Sequence, residues 1–115
     1  IASISNSGTI TSDGGNSGQA ILSYGSITTL NNLSGGVISG TNGASGVVNA
    51  LSIGSLVNDG TISSAGAGGS AIYNYSYWTI NDLPNPVPTI TTLTASGGVS
   101  SARKTFFLSG SMRSP

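Results

Sequence analysis

Four aromatic side chains crowd one short stretch: Tyr73, Tyr75, Tyr77 and Trp78. Three tyrosines at alternate positions would share one face of a strand. Exposed rings at that density can stack on sugar rings or seat a protein partner. These four are the candidate binding residues, and a host surface glycan or protein is the ligand such a patch would take. The same residues have a second reading as packing. They would then lie beneath the stretch holding Pro84, Pro86 and Pro88 and cover it.

Other reactive side chains are few. Asp13, Asp59 and Asp82 are the only carboxylates, and the chain has no Glu, no His and no Cys. Glycoside hydrolysis needs a pair of carboxylates at a defined separation. Here one stands in a Gly-rich loop, one in a turn and one ahead of the prolines, and no two share a repeat position. Zinc, haem, thiol and Ser-His chemistry all require His or Cys. No catalysis, no metal and no cofactor is therefore expected. Asp13-Gly14-Gly15-Asn16-Ser17-Gly18 has the outline of a calcium loop, but calcium takes about six to eight oxygens, several of them carboxylate. One Asp is too few, and the segment reads as a loop.

Arg103, Lys104 and Arg113 carry all the positive side-chain charge, so every base falls at the C-terminal end. Three bases are a weak case for nucleic acid or anionic lipid, so no nucleic-acid partner is expected. No run of apolar residues is long enough for a membrane helix, and no direct membrane insertion of this segment is expected. Six charged side chains make 5% of the chain, against roughly 25% in an average soluble domain. In their place stand 22 Ser, 12 Thr, 10 Asn and 18 Gly.

What would position any of these groups is a repeat. Ile1, Ile4, Asn6, Gly8 and Ile10 recur with identical spacing as Ile53, Leu56, Asn58, Gly60 and Ile62. Between them lie Ile27, Leu30, Asn32, Gly35 and Val37, with one extra residue between Asn and Gly. The starts at Ile1, Ile27 and Ile53 are evenly spaced. A second anchor repeats as Ala20-Ile21, Gly46-Val47 and Ala71-Ile72. A fourth copy reads Ile90, Leu93, Ala95, Gly97, Val99, with Ala95 where Asn is expected. It follows a proline-rich insertion, residues 79–89. A competing frame through Ile80, Leu83 and Asn85 keeps the Asn but lacks the Gly.

No window shows helical apolar spacing over three turns, whereas short runs of β-formers between Gly turns favour strands. A repeat of this length with short strands predicts an all-β parallel β-helix (β-solenoid), about 26 residues per coil and three to four coils tall. Stacked coils about 4.8 Å apart place like over like. Ile1, Ile27 and Ile53 would form one inward column, and Ile4, Leu30 and Leu56 a second. Ile10, Val37 and Ile62 would form a third, and Ile21, Val47 and Ile72 a fourth. Asn6, Asn32 and Asn58 would stack at a turn as a ladder of side-chain amides. The low charge then has a cause, because a repeated charge would lie roughly 5 Å from its own copy. A water-ordering Thr-x-Thr array is suggested by Thr9 and Thr11, but the next coils offer Gly36 with Ile38, Thr61 with Ser63 and Gly98 with Ser100.

Ile1 to Ser12, Gly18 to Leu22, Ile53 to Ser64 and Gly69 to Asn74 carry a pattern that resembles the passenger repeats of bacterial autotransporters and related filamentous surface adhesins. That resemblance implies a right-handed β-helix, secreted and displayed at a bacterial surface or released outside the cell. The expected organisation is residues 1–99 as solenoid, with coils starting near 1, 27, 53 and 90, and residues 100–115 as a non-repeat tail or cap. A chain opening inside a repeat is expected to be part of a longer polypeptide. Its expected role is a structural stalk or surface-display segment, with further coils of the same chain or identical subunits as partners. The alternative is a self-assembling extracellular filament built by end-to-end stacking.

Overall fold

The computed structural model describes residues 1–74, 89–101 and 111–113. They form an all-β structure with a single short 3-10 turn, Gly15–Ser17. The strands are β1 (Ser3–Asn6), β2 (Thr9–Ser12), β3 (Gln19–Ser23), β4 (Ser26–Asn32), β5 (Val37–Gly40), β6 (Ser45–Asn49), β7 (Ser52–Asn58), β8 (Thr61–Ser64), β9 (Ile72–Asn74), β10 (Thr89–Ala95), β11 (Gly98–Ser101) and β12 (Ser111–Arg113).

These strands make three parallel sheets. The first has the order β1-β4-β7-β10-β12, the second β2-β5-β8-β11 and the third β3-β6-β9. Each strand thus pairs not with its chain neighbour but with the strand one turn of the sequence later. Successive strands of the three sheets form a rung. β1, β2 and β3 are the first rung, β4, β5 and β6 the second, and β7, β8 and β9 the third.

Register places like on like. Ile4 lies beside Leu30, Leu30 beside Leu56 and Leu56 beside Leu93. Ile27, Ile53 and Ile90 form a parallel column, as do Ile21, Val47 and Ile72. Buried members of all three sheets meet in one apolar core. The frame that begins at Ile90 pairs with Ile53; Ile80, Leu83 and Asn85 of the competing frame lie outside the described residues.

Ile27 and Leu30 are both buried although three positions apart, which strict strand alternation forbids. The strand breaks its alternation at Thr28, which is exposed, and pairing skips it and Gly54. One strand thereby points both side chains into the core.

Three expectations are corrected by register. Val37 does not join Ile10 and Ile62; Ile38 does, and it is fully buried. The cause lies in the preceding turn. Thr9 pairs with Val37 and Val37 with Thr61, so the glycine aligned with Gly8 and Gly60 is Gly36 rather than Gly35. The second rung therefore carries two extra residues in this turn, not one. It closes with a hydrogen bond from Gly36 N to Leu33 O of 2.8 Å, with Gly35 at φ 81°. The next turn compensates, because 41–44 connects β5 to β6 where 13–18 connects β2 to β3. Insertion and deletion cancel, and the even spacing of the repeat survives.

Second, Thr89 belongs to β10 and not to the insertion; residues 79–88 lie outside the described residues. Third, the boundary at 100 falls inside β11, and Ser111–Arg113 adds a fifth strand to the first sheet, with Met112 in register with Leu93. Backbone pairing depends on main-chain groups, so this strand needs no match to the repeat. Ile1 stands beside Ile27 as the spacing predicts, its amine donating to Ser26 O at 2.9 Å and its carbonyl accepting from Thr28 N at 3.2 Å, and is 75% exposed.

Candidate functional site

The most organised polar feature is the turn that follows β1, β4 and β7. Asn6, Asn32 and Asn58 end these strands in mutual register, and all three are buried. Asn6 Nδ2 donates to Asn32 Oδ1 over 2.9 Å, and Asn32 Nδ2 donates to Asn58 Oδ1 over 2.8 Å. Both bonds run in the same direction, so the amide dipoles add head to tail.

Main-chain carbonyls take the remaining capacity. Asn6 Nδ2 also approaches Gly8 O at 3.0 Å and Val37 O at 3.2 Å. Asn32 Nδ2 donates to Gly36 O and Thr61 O, each at 3.0 Å. Asn58 Nδ2 ends the series on Gly98 O at 2.9 Å, because Ala95 offers no side-chain amide. A side chain at Gly36 would bring its Cβ to 2.5 Å from Asn6 O, which is why the position tolerates only glycine. Asn6 and Asn32 therefore each fasten their own turn and the turn beside it, and Asn58 fastens the turn beside it.

A second polar stack lies outside the repeat frame read from the sequence. Asn49 pairs with Ser23 and Asn74 at the end of the third sheet. Its Nδ2 donates to Asn74 Oδ1 over 2.7 Å and to Thr89 O over 3.0 Å. The signal for it is Val47-Val48-Asn49 and Ile72-Tyr73-Asn74, but Ser23 in the first rung hides it. Ser23 Oγ instead donates to Gly25 O at 3.1 Å.

Of the four candidate aromatic residues, Tyr73 lies in β9, half-buried and in register with Val48. Tyr75, Tyr77 and Trp78 lie outside the described residues. Leu22 and Tyr24, which form no part of that patch, are 39% and 48% exposed, and Leu22 shares the Val48 register.

Asp13 and Asp59 stand on different turns. Asp13 is exposed in the loop after β2. Asp59 is exposed in the turn after β7, where the Ser96 hydroxyl donates to its carboxylate. Asp82 lies outside the described residues. Among the described residues no three potential metal-binding side chains cluster, and no helix is long and apolar enough to cross a membrane.

The hydroxyl columns also follow the corrected register. Thr9, Val37, Thr61 and Gly98 form one, and Thr11, Ser39, Ser63 and Ser100 the other. The second rung thus presents Val37 with Ser39, not Gly36 with Ile38. Ser39 Oγ donates to Thr11 Oγ1 at 3.1 Å, and Ser52 Oγ to Ser26 Oγ at 3.0 Å. These two bonds tie neighbouring strands of the stack to one another. In comparisons with known proteins, no family model, no curated sequence and no solved structure matches the chain.

Proposed function

We propose that these strands are a right-handed parallel β-solenoid with one coil to each repeat, serving as a rigid stalk or surface-display segment of a secreted bacterial adhesin. The handedness and the setting come from the resemblance to autotransporter passengers. The observation that carries the mechanical reading is the directional amide ladder Asn6-Asn32-Asn58. It joins successive rungs where the strands end at a turn, alongside the main-chain bonds from Leu33 N to Asn6 O and from Asp59 N to Asn32 O. Apolar columns resist shear, and the amides tie the corner. A stack of this kind gains length without new sequence chemistry, since neutral side chains repeat without repulsion.

A display experiment tests this. The chain is fused between a secretion leader and an outer-membrane β-barrel in a Gram-negative host. The expected result is exposure on intact cells, with strands β1–β11 resisting added protease. Cleavage within those strands as rapid as in a flexible linker would remove the stalk reading. A glycan array separates this role from direct adhesion. A stalk binds nothing on it, whereas saturable binding lost on changing Tyr73, Tyr75, Tyr77 and Trp78 to Ser would move the function to the aromatic patch.

A second reading, the self-assembling filament, is favoured by one observation. Ile4, Ile10 and Ile21 of the first rung are half-buried, and a further coil, of the same chain or of an identical subunit, would cover them. Electron microscopy of concentrated chain distinguishes fibres from dispersed particles.

A further inference from the structure

The corner between β5 and β6 lies within the stack, between corner 13–18 of the first rung and corner 65–71 of the third. It is a tight turn. Ala44 N donates to Thr41 O at 3.1 Å, and the two central residues, Asn42 and Gly43, stand at φ 58° and 90°. Positive φ at both is the pattern of a type I′ turn, which favours Asn-Gly. Asn42 is the only non-glycine residue at positive φ among those described, and Asn42-Gly43 is the only Asn-Gly pair in the chain.

Asn-Gly is also the dipeptide most prone to lose ammonia, because glycine leaves its own nitrogen unshielded toward the asparagine side chain. Asn42 is exposed, unlike Asn6, Asn32, Asn49 and Asn58, whose amides are buried and hydrogen-bonded. The nucleophile, however, is held. Gly43 is buried, and its N–H donates to Ala65 O of the third rung at 2.8 Å. Gly66 crowds the same atom: a Cβ there would come to 2.6 Å from Gly43 N.

We propose that Asn42 is a latent deamidation site, closed while the second and third rungs are paired and opened when they part. A hydroxide ion takes the Gly43 N–H proton. The nitrogen bonds to Asn42 Cγ, the Cγ–Nδ2 bond breaks, and Nδ2 leaves as ammonia with a proton from water. Water then opens the cyclic imide. Attack at Cγ gives aspartate, and attack at the main-chain carbonyl gives isoaspartate, whose backbone carries an extra carbon. Nothing is oxidised or reduced. In the stack the proton is engaged with Ala65 O and out of reach of base, so the reaction waits on a local opening. Each product carries a new negative charge and keeps it, so the corner records that its rungs have parted. The site depends on rung pairing and not on what the stack displays.

Peptide mapping by mass spectrometry follows the exchange of NH2 for OH at residue 42 at mildly alkaline pH. Ammonia loss from the folded chain is expected to be at least about tenfold slower than in guanidinium chloride, where Asn42 reacts first among the asparagines. Gly66→Ala pushes a methyl group against Gly43 N, whereas Ile90→Ala empties a core position in β10. With both variants folded by circular dichroism, Gly66→Ala should lose ammonia at least about threefold faster than Ile90→Ala. Equal rates in the folded and unfolded chain overturn the proposal. So does earlier reaction at another asparagine, or a Gly66→Ala rate no higher than that of Ile90→Ala. If Gly66→Ala does not fold, amide hydrogen exchange in the unaltered chain decides. Protection of the Gly43 N–H should equal the slowing of ammonia loss within about tenfold, and an unprotected Gly43 N–H overturns the proposal.

Discussion

Asn32 donates its side-chain amide to Asn58 over 2.8 Å while accepting from Asn6 over 2.9 Å. It is the central member of the ladder and fully buried. Removing it leaves the buried Asn58 Oδ1 without its donor and takes a bond from Gly36 O and from Thr61 O, while Asn6 Nδ2 keeps Gly8 O and Val37 O. Each such loss costs roughly 1–3 kcal/mol. Asn32→Ala is therefore expected to lose about 2–5 kcal/mol, well above Asn6→Ala at the end of the series. Chemical denaturation of both variants measures the difference, and equal losses would mean that the amides are not coupled.

Asn32→Asp adds a pH dependence. Burial disfavours the charged carboxylate and raises its pKa above the unfolded value of about 3.9. The variant keeps its stability below that value and loses it as pH rises through the folded pKa. Denaturation midpoints at pH 4 and pH 7 should differ in this sense for the variant relative to wild type.

Register makes neighbouring residues unequal. Ile38 is fully buried and Val37 is not. Ile38→Ala is expected to cost about 2–5 kcal/mol, and Val37→Ala under about 1 kcal/mol. The reverse order would restore the column through Val37 that sequence spacing favours.

That column shows why part of the fold is legible in the sequence and part is not. Ile4, Leu30, Leu56 and Leu93 can be aligned because no insertion separates them from the repeat start, and the register agrees residue for residue. Beyond the Asn, the turn at Leu33–Gly36 offers two adjacent glycines, and spacing cannot decide which one follows the amide. A hydrogen bond from Gly36 N to Leu33 O decides it. β12 is illegible for a different reason. Its place in the first sheet rests on main-chain pairing with Thr92, Leu93 and Thr94, and the repeat frame carries no trace of it. The stack through Asn49 and Asn74 is hidden by Ser23 in the rung where the pattern would begin.

The two extra residues of the second rung can be removed. Deleting Leu33 and Ser34 restores the spacing of the first and third rungs, and both side chains are exposed. Stability should change by less than about 1 kcal/mol, read as the midpoint of thermal unfolding. Deleting Leu30 and Asn31 instead should abolish cooperative unfolding, because it removes a core position.

The scarcity of charge is testable by adding it. Thr29 and Ser55 are register partners on the first sheet, both partly exposed. Thr29→Lys and Ser55→Lys should each be mild. Together they place like charges roughly 5 Å apart and should lose about 1 kcal/mol beyond the sum at low salt. Raising the salt concentration should recover that excess. An additive pair would leave the low charge without its electrostatic cause.

In-register parallel stacking of successive repeats underlies every other inference, and NMR of the labelled chain observes it directly. Contacts between the backbone amide and α protons of Leu30 and Leu56, with the Asn32 side-chain amide close to Asn58, are the expected pattern. Close α-proton pairs between sequential strands, the mark of antiparallel hairpins, would contradict it.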